Sequence, residues 1–486
     1  MKTITLTKGQ AEFFEKFKAF IKSKETEVMI LKGYAGTGKT FLVQQLLEWL
    51  DTREREYRLM APTGRAAKVL GTKAQEPAYT IHKSIYSFSL MEEERGGKKG
   101  KHLGNVKYHY RTRQNDDVGN TVYIVDEASM VNDTANDGEM YQFGSGRLLQ
   151  DFIKFSRQEP EKGTCRRKIL FVGDPGQLPP VGASFSCALS KDYLRETYEL
   201  NCESFQLTEV VRQGKDSGIL EYATQLRNHL RGEGLRPAFN FSLSDVHRAP
   251  RENIVDYYDR AQKKSGLEEV ILVTFSNRLA LQYNLAIRQQ LFPHQHGLQI
   301  GDRLMLCTNN YAYEVELLNG DFARVIDMDP EAEEEAVRVD VFDPETKNWS
   351  KQEVVLRFRD VFLEVIDSEG EAQEIEGKII DSLLDSPNRD ITALERKALY
   401  QHFRNRYPKL KPGSKKFNEK LGEDPYFNAL RLKYGYAITG HKAQGGEWQF
   451  VFVDFEGTQY MRDEKESIRW SYTAVTRAKG HLLVVR

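Results

Sequence analysis

Residues Gly33-Tyr34-Ala35-Gly36-Thr37-Gly38-Lys39-Thr40 fit the pattern G-x-x-x-x-G-K-[ST]. The apolar run Val28-Met29-Ile30-Leu31 precedes them, and residues 41–50 read as a helix. Strand, glycine-rich loop and helix in that order open an α/β unit, so the segment fixes the fold class before anything else does. Its glycines let backbone N–H groups turn inward around phosphate oxygens. The helix N-terminus adds a partial positive charge. In such a loop Lys39 reaches the β- and γ-phosphates and the Thr40 hydroxyl ligates Mg²⁺. Gly33, Gly36, Thr37, Gly38, Lys39 and Thr40 are therefore the expected nucleotide-binding set, with ATP and Mg²⁺ as cofactors.

A phosphate loop needs an acidic partner. Tyr123-Ile124-Val125-Asp126-Glu127 supplies one, an apolar strand ending in two carboxylates. Asp126 is expected to hold Mg²⁺ and Glu127 to polarise the attacking water. A third strand ends in Gly173-Asp174-Pro175-Gly176-Gln177-Leu178, where Gln177 is placed to bond the γ-phosphate or that water. Further buried-strand runs lie at 270–273, 450–453 and 482–485, most followed at once by polar residues or glycine. The ends of parallel strands are where ligands bind.

Length and charge bound the rest. A chain of 486 residues is too long for one typical core, so two or more domains are expected. The formal net charge is −1, so a nucleic-acid surface must be local, in a groove or channel. Cys165, Cys187, Cys202 and Cys307 form no CxxC pair and no zinc spacing, which reads as reduced thiols. With no signal core and no apolar run of membrane-spanning length, a cytoplasmic location is expected.

Two stretches break the α/β rhythm. Residues 85–120 carry a charged run around Glu92 to Lys101, a solvated loop by composition. They also hold Val106-Lys107-Tyr108-His109-Tyr110-Arg111, in which strand alternation puts Tyr108 and Tyr110 on one face. Residues 296–430 begin as an alternating, turn-punctuated β region and continue as a polar helical one from about Leu383 to Tyr407. The Gly-rich stretch from Asn132 to Arg147 has no role in this reading.

Taken in order, these segments resemble the superfamily 1B helicases, the group containing RecD-like and Dda-like enzymes. Gln10 resembles the Q motif that reads adenine, and 33–40 motif I. Ala61-Pro62-Thr63-Gly64-Arg65-Ala66-Ala67 resembles motif Ia, and Thr80-Ile81-His82 motif Ib. Asp126-Glu127-Ala128-Ser129 resembles motif II, 173–180 motif III and 207–213 motif IV. Residues 436–445, with Thr439, His441 and Lys442, resemble motif V, and 472–478 motif VI. By spacing alone Arg212 and Arg477 are indistinguishable from surface arginines; the resemblance implies that both are arginine fingers. Gly440 departs from the pattern, since related motifs often carry a bulkier residue before the His.

The resemblance implies two RecA-like P-loop domains with parallel sheets and ATP between them. Domain 1A would be 1–84 and 121–235, and domain 2A 236–295 and 431–486. Insert 1B, a β-hairpin carrying a pin, would be 85–120, and insert 2B, SH3-like, 296–430. It also implies 5′-to-3′ movement on single-stranded DNA and unwinding of forked duplex, in replication, recombination or repair. Pro62, Thr63, His82, Thr439, His441 and Lys442 become strand contacts, and Tyr108 and Tyr110 the pin candidates. Phe275, Ser276 and Asn277 are weaker strand candidates, and Phe275 alone reads more often as core. The chief alternative is a single-strand translocase that displaces proteins and unwinds weakly.

Overall fold

The computed structural model describes residues 6–95, 106–135, 141–160, 166–211, 217–342, 345, 348–367, 370–461 and 463–486. The first helix, Lys8–Lys22, follows the spacing of its phenylalanines: Phe13, Phe17 and Phe20 are buried. It starts in a capping box, in which the Thr7 hydroxyl accepts the Gln10 N–H and the Gln10 side chain accepts the Thr7 N–H.

Strands β1 (Val28–Gly33), β2 (Tyr57–Ala61) and β3 (Ala78–Thr80) begin a parallel sheet. The chain leaves it through the hairpin β4 (Tyr86–Arg95) and β5 (Val106–Thr112), and returns as β6 (Val122–Val125). It leaves again through β7 (Tyr141–Phe143) and finishes with β8 (Lys168–Gly173) and β9 (Cys202–Leu207). The sheet order is β3-β2-β6-β8-β1-β9, with parallel pairing throughout. Strands β6 and β8 are buried along their whole length, as a sheet covered on both faces requires.

The second parallel sheet opens with β10 (Val246–Ala249) and β11 (Val270–Thr274). An antiparallel excursion interrupts it: β12 (Arg303–Leu306), β13 (Phe322–Met328), β14 (Glu333–Phe342), β15 (Trp349–Ile366), β16 (Ala372–Ile380) and β17 (Leu432–Tyr434). The chain then returns as β18 (Ala437–Thr439), β19 (Trp448–Asp454) and β20 (Ala478–Val485), giving the order β10-β20-β19-β11-β18. Both parallel sheets carry the expected buried runs, so the α/β reading with two RecA-like domains stands. No helix among the described residues is long and apolar enough to cross a membrane.

Three expected boundaries move. Helix Gly218–Leu230 buries Ile219, Tyr222 and Leu226 in the core of the second parallel sheet, so domain 1A ends before it and not at 235. The antiparallel excursion runs through β17, past 430, because Leu304 pairs with Tyr434 and Leu306 with Leu432. The β4–β5 hairpin gains a third strand, since β7 pairs in parallel with β5 (Tyr110 opposite Phe143). That strand lies in the stretch between 132 and 147, to which the sequence reading gave no role. The helical half of the excursion starts later than expected and runs further, with helices Ala393–Arg406 and Lys415–Glu423.

Candidate nucleotide site and nucleic-acid cleft

The P-loop starts where β1 ends, and helix Lys39–Asp51 begins directly after Gly38. Gly38 has φ of +75°, and a Cβ there would lie 2.6 Å from Gln10 Nε2, so glycine is required twice over. Lys39 Nζ donates to the carbonyls of Gly33 (2.8 Å) and Tyr34 (3.3 Å). The Thr37 hydroxyl donates to Tyr34 O at 2.8 Å. Buried Gln10 donates from Nε2 to Thr37 O at 3.1 Å. It holds the loop backbone from beneath, a role the sequence reading did not include.

Strand β6 delivers the two carboxylates, and the backbone separates them. Glu127 sits at φ of +47°, a left-handed conformation costing a non-glycine residue about 1 kcal/mol. Such strain collects at functional sites. Asp126 accepts the Glu127 N–H at 2.8 Å. Burial, and then the neighbouring Glu127 charge, raise the Asp126 carboxyl above its ordinary range, while the Lys39 ammonium opposes them. A crowded anion of this kind, with the Thr40 hydroxyl at the start of the helix, is a hard-oxygen donor set that fits Mg²⁺. Among the described residues no group of three or more His, Cys, Asp or Glu forms a protein-only metal cage.

Gln177 joins the two domains. Its surroundings orient the amide, with nitrogen donating to Glu127 Oε2 at 3.3 Å and oxygen accepting from Arg477 Nη2 at 3.2 Å. Arg477 is buried, contrary to its reading by spacing alone. Its Nε donates to Thr473 O at 3.0 Å and its Nη1 to Gly446 O at 3.2 Å. Glu127, Gln177 and Arg477 thus meet at the seam. Arg212 lies outside the described residues; its neighbour Val211 donates its N–H to Gly36 O at 2.8 Å.

The same seam holds residues whose roles no local sequence pattern indicates. Asp174 accepts the Tyr472 hydroxyl at 2.7 Å, and that hydroxyl accepts the Ala35 N–H at 2.8 Å. Thr473 Oγ1 accepts the Leu178 N–H at 2.9 Å, and Gln444 donates to Leu178 O at 2.9 Å. Tyr34 carries the Arg227 guanidinium over its ring at 4.5 Å and accepts from Arg231 at 2.9 Å. No spacing rule links residues 34, 227 and 231, so only the fold could find them.

A second feature is a cleft of about 920 Å³ between the first domain, the three-stranded hairpin sheet and the antiparallel excursion. Pro62, Thr63 and His82, the strand-contact candidates of the first domain, line it. Thr63 caps helix Gly64–Ala74, accepting the Ala66 N–H at 3.3 Å. His82 packs edge-on to Phe143 at 5.1 Å, and burial lowers it to about 4, so its imidazole is neutral near pH 7. Lys442 donates to Cys307 O at 3.3 Å and to Asn319, both on the cleft wall. Thr439 and Lys442 also line a small separate pocket, and His441 borders neither space. Arg389, Arg396, Lys415 and Arg431 face Asp390 and Glu419 in the lining, four cations to two carboxylates. The lining thus carries a local excess of positive charge, although the net charge of the chain is −1.

Tyr110 belongs to this cleft, near the base of the hairpin, with its ring stacked on Phe143 at 5.0 Å and 18°. Tyr311, from the excursion, meets both rings edge-on. Tyr110 is a wall residue here, and the Tyr108 side chain lies outside those described. Phe275 is half-buried and packs against the core of the second parallel sheet, edge-on to Trp470 at 6.5 Å. Ser276 caps helix Asn277–Leu291. The Gly440 departure has a cause: a Cβ there would lie 2.4 Å from the Trp470 indole nitrogen, and Trp470 is fully buried.

Family models place residues 17–183 in an AAA domain and residues 434–485 in a UvrD-like helicase C-terminal domain. An uncharacterised protein of Acanthamoeba polyphaga mimivirus is 23% identical over 96% of this chain and 97% of its own length. The ATP-dependent RecD2 DNA helicase of Deinococcus radiodurans is 25% identical over 62% of this chain, but the match spans only 36% of RecD2. A crystal structure of Pif1 helicase from Candida albicans aligns with 100% of this chain and 95% of its own, at 16% identity and a TM-score of 0.47. With the motifs assembled on two parallel sheets, the chain is similar to the superfamily 1B helicases of the RecD and Pif1 type.

Proposed function

We propose that this chain is an ATP-dependent DNA helicase that moves 5′ to 3′ along single-stranded DNA and opens forked duplex. The observation that carries the reading is Gln177, bonded on one side to Glu127 of the first domain and on the other to Arg477 of the second. A γ-phosphate held by Lys39 at that seam is sensed by both domains at once, so binding favours a closed seam and product release an open one. Glu127 takes the proton of the attacking water, and Gln177 orients that water. Thr40 and Asp126 would hold Mg²⁺, which would supply neutralisation of phosphate charge. Arg477, with Arg212, balances charge developing on the phosphoryl group. Gln10 contacts adenine while steadying the P-loop.

The track runs through the positive cleft. The N-terminus of helix Gly64–Ala74, presented by Thr63, grips phosphate. The neutral His82 and its aromatic neighbours offer faces to bases. The 1A, 2A, 1B and 2B division follows the parallel sheets, the three-stranded hairpin sheet and the antiparallel excursion. The pathway is replication, recombination or repair, and the location cytoplasmic. A second reading, a translocase with weak unwinding, is favoured by the position of Tyr110 in the cleft wall, near the hairpin base.

ATP hydrolysis and strand release measured together, on duplexes with a 5′ or a 3′ single-stranded tail, test the reading. Release from the 5′ tail with tail-stimulated hydrolysis supports the helicase. Stimulated hydrolysis without release from either tail supports the translocase. No hydrolysis overturns both.

A further inference from the structure

Tyr472 stands on helix Glu464–Val475 of the second domain and is fully buried. Its hydroxyl crosses the seam. One lone pair accepts the Ala35 N–H of the P-loop at 2.8 Å, and the proton goes to Asp174 Oδ2 at 2.7 Å. Asp174, itself buried, turns its other oxygen to the Gly176 N–H at 2.8 Å. Burial and the Asp174 charge raise the hydroxyl well above its ordinary range, so it stays protonated. A single side chain of one domain thus touches two separate loops of the other.

The positions along the chain give these bonds a consequence. Gln177 lies in the same short loop as Asp174, and Arg477 follows directly from the helix that carries Tyr472. That loop is held on its far side as well, by Thr473 on the Leu178 N–H and Gln444 on the Leu178 carbonyl. The P-loop backbone meets this network at the Ala35 N–H, through the Tyr472 hydroxyl, while the Tyr34 side chain is held separately by Arg227 and Arg231.

We propose that Tyr472 is a positioning residue for ATP hydrolysis, whose hydroxyl ties the P-loop backbone to Asp174 and so sets Gln177 and Arg477 against Glu127. The proposal rests on the ATPase reading above. Nucleotide is gripped by Lys39, Thr40 and the loop amides, whereas the alignment set by Tyr472 matters when charge moves between water, phosphate and Arg477. Loss of the hydroxyl should therefore lower turnover and leave nucleotide affinity alone.

Tyr472→Phe keeps the ring and removes the hydroxyl. Turnover at saturating ATP and strand should fall about tenfold or more, the scale of one buried hydrogen-bond link. Affinity for fluorescently labelled ADP, measured by direct titration, should stay within roughly twofold. Asp174→Asn should behave alike, and the double variant should be no slower than the worse single, because both cut the same link. Asp174→Asn carries the test alone if the Tyr472 variant does not fold. Variants that turn over like the parent overturn the proposal. So does a loss of ADP affinity matching the loss of turnover, or additive losses in the double variant. A parent chain without strand-stimulated hydrolysis overturns the ATPase reading instead, and is distinguishable because it needs no variant.

Discussion

At the scale of single residues, Glu127 shows how a backbone angle assigns a chemical task. Its left-handed φ separates its carboxylate from that of Asp126 and puts it 3.3 Å from the Gln177 amide. Glu127→Gln should bind labelled ATP as the parent does yet hydrolyse it roughly a hundredfold more slowly, the usual scale for a lost general base. Loss of ATP binding in that variant would assign Glu127 a structural task. Gly440 makes the opposite point, that a missing side chain can be the informative feature. Gly440→Ala would push a methyl to 2.4 Å from the Trp470 indole nitrogen. Such overpacking should destabilise the chain by about 1–3 kcal/mol in urea denaturation, with part of the loss restored by adding Trp470→Phe. An unchanged midpoint would mean that Trp470 can move aside.

At the scale of elements, the hairpin sheet is a different object from the one its alternation suggested. Tyr108 and Tyr110 read as one face, but β7 adds Phe143 beside Tyr110, and Tyr311 closes on both. Tyr110 is a wall of the cleft because its pair partner comes from a segment thirty positions away, which no local pattern announces. Tyr110→Ala should raise the strand concentration needed for half-maximal hydrolysis about fivefold or more, on the scale of one lost base–aromatic stack. If the variant instead loses unwinding alone, with strand-stimulated hydrolysis intact, Tyr110 acts as a pin. The β9-to-β10 connection carries a similar lesson. Helix Gly218–Leu230 follows the first sheet in sequence, yet its apolar face is satisfied by the second. Helical periodicity gives the face that must be buried and is silent on the partner that buries it.

At the scale of the whole molecule, a net charge of −1 and a positive cleft coexist because opposite charges are sorted in space. If a strand binds through that cleft as proposed, it releases counterions, and affinity should fall linearly with salt on logarithmic axes. Arg389→Gln should weaken binding to strands of any sequence and reduce that slope by roughly one. A slope identical to the parent's would remove Arg389 from the phosphate track. Single-strand titrations at several salt concentrations, followed by fluorescence anisotropy, read both quantities.

The phosphate loop, its acidic partner and the buried strands were legible in the chain itself, because each depends on a few residues in contiguous order. A P-loop needs glycine at Gly38 and a lysine next to it, and a strand buried on both faces needs a run such as 169–172. The resemblance added Arg477, which spacing could not separate from an ordinary surface arginine. Tertiary structure alone decided what meets across the seam and the cleft: Tyr472 with Ala35 and Asp174, Tyr34 with Arg231, Tyr110 with Phe143. Hydrogen bonds and ring contacts between residues up to several hundred positions apart are set by how whole sheets pack, and packing is a property of the assembled core that no short stretch of sequence contains.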